Sequence, residues 1–508
     1  MSSATRIASA AVVLATAAPL TAVLGTPVAT AGPCSEMFGN FGSLLENQTG
    51  AGMAAGSLGS AGSLGSAGSS GPTGSLGSVS QALGSADRSG SLVRQLETGS
   101  LGNGLSGSLD MVTGSVYGMP PWITGDQGTV PVLKGPTRFL QLVTGPTSPT
   151  ESISRYGVGG TDLGIMWDNG SAEDPRILMA FGDTMGDCTV PGDQWRSNVL
   201  FRSEDRDLSD GITIHSAAMG ADGLAKSIVP RSGLPGEVTI IPTAGIAVGE
   251  RQYLRYMSVA HWGVPGSWTT NYSGMAYSDD DGENWTVVPE MVRPITSTVP
   301  LGDGAPAVDE DWRRAQLSAF LKASDGGTDY LYEYLTPSGR QGAAILARVP
   351  QEKVLEPTEY RYWDGSEWVS DVADAENVMP APTSEMSVMW NGYLNKYVAM
   401  YSKGVEAVQI RTADRPGGPW SGSTTLIDYS TLPGVYGGFM HPWTTDGKDL
   451  YYLVTTWNAY NVFLVRSDLS ELFPQQRGRM AARSAPATTE VVRQVPVSEL
   501  VDGKVPTE

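Results

Sequence analysis

Two aspartates bracket a pair of apolar runs: Asp162 opens onto LGIMWD, Asp183 follows ILMAFG, and Asn169-Gly170 lies between them. Asn-Gly between two strand-like segments is a hairpin signal, so the strand that begins at Asp162 is expected beside the strand that ends at Asp183. Pairing those acids also pairs Gly164 with Phe181, Met166 with Met179 and Asp168 with Ile177. Directly opposed residues hold their Cβ atoms roughly 4.5 to 5.5 Å apart, where like charges repel. Carboxyls about 5 to 5.5 Å apart suit double displacement at an acetal carbon, one attacking while the other delivers a proton. Their repulsion is expected to raise one pKa and keep that acid protonated. A solvated rim position or a turn cap is the plainer alternative for either residue.

Such a pair needs a rigid sheet under it, and the chain repeats the required pattern. Five aromatic or β-branched runs end in polar residues: ILMAFGDT (177–184), YLRYMSVAHW (253–262), DYLYEYLTPSGR (329–340), KYVAMYSK (396–403) and DLYYLVTTWN (449–458). Each is followed by a second run, namely SNVLFRSED, GMAYSDDDGENW, AAILARVP, VQIRTADRPGGPW and NVFLVRSDL. The equivalent points Ser203, Ser278, Arg348, Thr412 and Ser467 lie 75, 70, 64 and 55 residues apart, room for one four-stranded unit with loops. Radial repetition of such units predicts an all-β, five-bladed β-propeller, with a two-sheet sandwich as the alternative. Both faces of the opening hairpin are apolar, as expected of a blade pressed between two neighbours.

The pattern Ser278-x-Asp280-x-Gly282-x-x-Trp285 resembles the Asp-box of sialidase-like and related β-rich repeats, a structural turn with Trp packed beneath it. Thr412-x-Asp414 with Gly418-Pro419-Trp420 is a looser copy. Asp280 and Asp414 are therefore set aside as catalytic candidates.

Outside the repeats, the first residues carry Arg6, an apolar stretch from about Ala8 to Leu24, and Ala29-Thr30-Ala31 before Gly32, the layout of a secretory signal peptide (1–31). An uncleaved anchor is the alternative, which Pro19 and Thr21 disfavour; no later stretch is long and apolar enough to span a bilayer. Residues 32–135 form a low-complexity Gly/Ser-rich spacer and N-terminal arm, in which Gly42 to about Ser108 is too poor in bulky side chains to bury a core. Residues 136–473 hold the repeats, and 474–508 read as a polar tail. Cys34 and Cys188 are the only cysteines, and export would permit a disulfide between them.

With 33 basic against 53 acidic residues the formal net charge is −20, which repels a phosphate backbone and argues against a nucleic-acid partner. A neutral polysaccharide meets no such objection. His261 in AHWG and His441 in MHPW each follow a strand with an aromatic neighbour, a setting that suits hydroxyl binding, though packed or capping histidines are commoner. Two histidines without a third ligand do not make a zinc site, so no metal is expected. Neither a G-x-S-x-G elbow, a P-loop nor a dinucleotide fingerprint occurs in a suitable context, so no organic cofactor is implied.

GVGGTDLGIMW, ILMAFGDT, YMSVAHWG, LTPSGRQG, YRYWDGSEW and YGGFMHPW together resemble glycoside hydrolase family 183, secreted bacterial endo-D-arabinofuranosidases that cut cell-wall D-arabinan. The resemblance covers roughly Pro136 to Phe473. It implies a five-bladed propeller and retaining hydrolysis by two aspartates, which fall on Asp162 and Asp183. By analogy with other five-bladed glycosidases Asp162 is the nucleophile and Asp183 the acid/base. His261, Trp262, Arg340 and His441 would line the funnel. The protein would then be a secreted or cell-wall-associated arabinanase acting on arabinogalactan-type or lipoarabinomannan-type polysaccharide. A glycan-binding propeller without activity and an exported adhesion protein are the competing readings.

Overall fold

A computed structural model describes residues 128–187, 194–296, 304–474 and 488–507. The expected signal peptide, almost all of the spacer, and both Cys34 and Cys188 lie outside those residues. No helix among the described residues is long and apolar enough to cross a membrane.

The described chain is mostly β, and five antiparallel sheets follow one another along it. Sheet one contains Leu163–Asp168, Ile177–Phe181, Val199–Ser203 and Ser216–Ala217. Sheet two begins with Thr239–Val248, Arg251–Trp262 and Trp268–Ser278, and sheet three with Leu317–Asp325, Thr328–Thr336 and Ala344–Pro350. Sheet four is Ser384–Asn391, Lys396–Lys403, Ala407–Ala413 and Thr424–Asp428. Val435–Met440, Asp449–Thr456 and Asn461–Asp468 make up most of sheet five. The ten runs read from the sequence are the second and third strands of these sheets.

The first strands touch in cyclic order: one against two, two against three, three against four, four against five, and five against one. Five apolar cores follow the same cycle. Leu178 and Leu254 meet between sheets one and two, Leu331 and Met275 between two and three, and Leu346 and Tyr401 between three and four. Val408 and Phe463 belong to the core of sheets four and five, while Phe201 and Leu453 close the cycle between one and five. Covering on both faces explains why Ile177–Phe181 is buried throughout and why its residues do not alternate apolar and polar.

The ends of the described chain are tied to this body. Thr137–Leu142 pairs with Asn461–Asp468, so the first part of the domain completes the last sheet. Thr129–Lys134 pairs with Glu490–Pro496 in a separate two-stranded sheet. The expectation of a tail over 474–508 is corrected for its described residues 488–507: Val495, Val497, Leu500 and Val505 join the core of sheets four and five. Glu490–Pro496 is mostly exposed and shows no alternation to read; backbone pairing with Thr129–Lys134 is what orders it.

The Asp-box is structural, as expected. Asp280 accepts from Ser278 Oγ at 2.7 Å and from the Asn284 N–H at 2.8 Å, and Trp285 Nε1 donates to the Gly282 carbonyl at 2.9 Å. Asp414 pairs with Lys396 at 2.5 Å on the surface.

Candidate active site

Antiparallel pairing places the start of each first strand beside the end of its second strand. Since the first strands form one ring, those ends from all five sheets gather at one mouth of it. There they enclose a cavity of about 360 Å³, with Asp162 and Asp183 from sheet one, Trp262 from two, Arg340 from three, Glu385 from four and Tyr436 from five in its wall.

Around the two acids the hairpin departs from the expected register. Met166–Met179 and Asp168–Ile177 pair as expected, but Phe181 pairs with Leu163 and not with Gly164. Leu163 and Gly164 are left-handed, with φ of 71° and 82°, and a Cβ added at Gly164 would lie 2.8 Å from Leu453 Cδ1 of sheet five. Gly164 is thus squeezed out as a bulge, which re-aims the residues before it. Beyond the acids the expected register returns: Gly160 bridges Met185, and the buried hydroxyls of Thr161 and Thr184 share a 2.8 Å hydrogen bond. In between, the Gly182 N–H donates to the Asp162 carbonyl oxygen at 3.1 Å. Asp162 therefore faces Gly182 across the ladder, and the direct Asp162–Asp183 pair expected from the turn is replaced by two acids held side by side.

Each acid has its own hydrogen-bond donor from a different sheet. Asp162 Oδ2 accepts from the Tyr436 hydroxyl at 2.9 Å, while its Oδ1 has no hydrogen-bond partner. Asp183, 7% exposed, accepts from Thr239 Oγ1 at 2.5 Å. Burial pushes the Asp162 carboxyl up to about 7, against the pull of Tyr436 and Arg340 and with a push from Glu385. Asp183 is raised well above the usual carboxylate range, again chiefly by burial, with the Asp162 charge adding to it and Thr239 and Arg231 opposing. Both pKa values are therefore raised where repulsion alone was expected to raise one, and loss of water is the larger cause.

Arg340 reaches the cavity with its guanidinium held by Glu385: Nε lies 2.9 Å from both carboxylate oxygens and Nη2 lies 2.7 Å from Oε1. The guanidinium also stacks 4.4 Å from the centroid of the Tyr436 ring. Trp262 lines the cavity and meets Trp268 edge to face at 5.7 Å.

The two histidines are not among the lining residues. His261 and Trp262 are consecutive in one strand, so their side chains leave it on opposite faces. His441 follows the far end of the strand that begins near Tyr436; it is fully buried, and burial depresses its pKa to about 4. Sequence reasoning passed over Glu385, Thr239 and the hydrogen-bonding role of Tyr436. Glu385 carried one usable signal, a lone charge inside the strand-like SEMSVMW.

Residues 147–466 match the family model described as "Domain of unknown function (DUF4185)". The chain belongs to this family. Asp162, Asp183, Thr239, Arg340, Glu385 and Tyr436 all lie within the DUF4185 span, whereas both strands of the terminal two-stranded sheet lie outside it. The DUF4185 chain is 31% identical over 338 residues to "Notoamide biosynthesis cluster protein J" of Aspergillus sp. (strain MF297-2), covering 61% of this chain and 82% of that protein. Among solved structures it is similar to a putative hydrolase from Bacteroides ovatus ATCC 8483, with TM-score 0.42 and 13% identity over 63% of this chain and 89% of that one. It is also similar to the alpha-L-arabinofuranosidase of Podospora anserina, with TM-score 0.34 and 12% identity over 65% and 96% of the two chains.

Proposed function

We propose that this DUF4185 chain is a secreted, retaining glycoside hydrolase that cleaves internal D-arabinofuranosyl linkages of cell-wall arabinan, built as a five-bladed β-propeller. The cyclic contacts of five first strands and the five intervening cores support the propeller. The observation that carries the enzyme reading is the pair of acids in one cavity, each raised by burial and each given a separate donor. The choice of arabinan rests on the likeness of the Asp162 and Asp183 motifs to the arabinofuranosidase family.

Asp183, the acid in the drier setting, keeps its proton and gives it to the departing glycosidic oxygen. Asp162 attacks the anomeric carbon as the carboxylate, forming a glycosyl-enzyme ester. Its negative charge falls as the bond forms, so the Tyr436 hydroxyl and Arg340 favour the reactant carboxylate and burial favours the ester. Asp183, now ionised, takes a proton from water, which attacks the same carbon and releases a sugar of unchanged anomeric configuration.

Residues 32–508 incubated with purified D-arabinan should release a ladder of short oligosaccharides, with the first product retaining its anomeric configuration by proton NMR. Asp162→Asn and Asp183→Asn should each lower the rate by at least about 10³-fold, in the range of lost nucleophilic or acid/base catalysis. An intact, folded protein that releases nothing from D-arabinan, or a first product of inverted configuration, would refute the proposal.

A further inference from the structure

The pair formed by Arg340 and Glu385 raises a question of role, because a guanidinium in a glycan cavity is ordinarily read as a hydroxyl-binding group. Two of its nitrogens are already committed to Glu385, and one of its faces to the Tyr436 ring. The other ring near it is Trp268, whose centroid lies 5.7 Å away. Both side chains are largely covered, at 14% and 8% exposed. Glu385 reaches this position through a left-handed backbone, φ 31°, at an irregularity in the pairing of Ser384–Asn391 with Lys396–Lys403. A non-glycine residue held there is strained and persists where the surroundings require it. The strain is met at the one residue that anchors Arg340.

We infer that Arg340 and Glu385 are a positioning pair, which clamps the Tyr436 ring so that its hydroxyl stays on Asp162, and that they serve the reaction this way rather than by binding the sugar. The inference rests on the proposed nucleophilic role of Asp162. A bidentate guanidinium-carboxylate pair has a fixed plane, and that plane lies against the phenol ring. Three sheets thereby hold one hydroxyl: Arg340 follows the second strand of sheet three, Glu385 lies in the first strand of four, and Tyr436 in the first strand of five. The groups that bear on the Asp162 charge are Tyr436, Glu385, Arg340 and the Gly182 amide, together with the neighbouring Asp183 and the buried Tyr460. Within this set the two members of the pair act in opposite senses: Arg340 favours the carboxylate and Glu385 disfavours it.

The test follows Asp162 directly, by carbon NMR of the full chain labelled at aspartate carboxyls, assigned with Asp162→Asn, beside the pH profile of arabinan hydrolysis. Arg340→Met and Glu385→Gln should both move the Asp162 midpoint and the acid limb of kcat/KM to higher pH, Glu385→Gln less far, because the loosened Tyr436 hydrogen bond outranks the removed Glu385 charge. In both variants kcat should fall about 10-fold to 100-fold, the scale of a lost positioning contact, with KM within about 2-fold. Arg340→Lys keeps the charge but not the fork, so its midpoint should fall between those of the parent and Arg340→Met while kcat stays low. A KM that rises in step with an unchanged kcat would overturn the inference in favour of sugar binding, and a midpoint that falls in Glu385→Gln, or that moves in neither variant, would overturn it as well, by showing that the pair acts through its charges alone. The NMR titration needs no turnover, so it reads the pair even where D-arabinan hydrolysis fails; absent hydrolysis with both midpoints raised refutes the enzyme proposal and leaves the clamp standing.

Discussion

Gly182→Ala isolates the geometry of the Asp162 carboxyl with a single methyl group. A Cβ at Gly182 would lie 2.3 Å from Asp162 Oδ1 and 3.4 Å from Asp162 Cγ. That is about 1 Å inside ordinary contact, so one of the two groups must move. Gly182 is not among the left-handed residues, so its backbone accepts alanine without strain and the methyl stays where it is built. The carboxylate is the mobile partner, and turning it away strains the 2.9 Å hydrogen bond from Tyr436. A shift of about 1 Å at a reacting group costs on the order of 10²-fold in rate, while rotation of one carboxyl keeps the stability loss near 1 kcal/mol, the low end for overpacking. The expected result is therefore kcat about 100-fold down on D-arabinan with an unfolding midpoint close to that of the parent. In an Asp162→Ala background the nearest side-chain atom left in place is Leu163 Cδ1, at 3.3 Å, so most of the stability cost should vanish, a coupling that a double-mutant cycle measures. Activity within about 3-fold of the parent, or an equal stability cost in both backgrounds, would refute the steric reasoning.

Two further outcomes need no substrate. Asp162 titrates at 3.8 in the unfolded reference and at about 7 in the fold. Below about pH 4 both states hold the proton; between there and pH 7 the unfolded chain ionises first, so stability falls as pH rises and levels off above 7. Asp162→Asn removes that loss and should become more stable than the parent by about 2 to 4 kcal/mol at pH 8, at about 1.4 kcal/mol per unit, with the gap closing toward pH 4; a gap that does not change with pH in parallel denaturation series would contradict it. Glu333 is fully buried between Arg255 and Arg293, at 3.0 and 2.7 Å, and also accepts from Ser318 Oγ at 2.6 Å. Glu333→Gln leaves two buried guanidiniums facing a neutral group and should cost about 3 to 5 kcal/mol, seen as a lower urea midpoint with an unchanged slope; a midpoint within error of the parent would show that water already screens the cluster.

The second and third strands of all five sheets were readable because they are the wide, packed middle of each sheet, rich in β-branched and aromatic residues such as YLRYMSVAHW and DYLYEYL. The first strands of sheets two to five were not. They line the ring where five backbones crowd together, and their residues are chosen for fit at that axis: TIIPTAGIAV carries a proline and a glycine, and VYGGFM two glycines. A Cβ at Gly245 would strike the Trp167 ring at 2.2 Å. Small residues and breaks in periodicity are what such a position demands, and they are also what makes a strand look like a loop. Thr239, Glu385 and Tyr436 went unassigned because they sit at the starts of those strands. The bulge at Gly164 had a visible sign, a glycine inside a strand pattern, but its direction depends on Leu453, which reaches it from sheet five.

The division of labour between the two acids follows from the same ring. A hairpin places Asp162 and Asp183 near each other, and by itself it offers only mutual repulsion to tell them apart, a symmetrical cause that favours neither as the acid. In the fold that repulsion ranks behind burial and behind the Thr239 hydrogen bond among the causes acting on Asp183. The asymmetry comes from outside the hairpin. Asp162 receives a phenol hydroxyl from 274 residues away, and the Arg340 charge lies behind that ring. Asp183 receives one aliphatic hydroxyl from 56 residues away in an otherwise drier setting. More and stronger donors on Asp162 favour its carboxylate, and fewer on Asp183 leave it holding a proton. In the proposed reaction, which aspartate attacks and which donates is thus set by sheets two, three and five, and exchanging the roles would require exchanging those neighbours, not the acids.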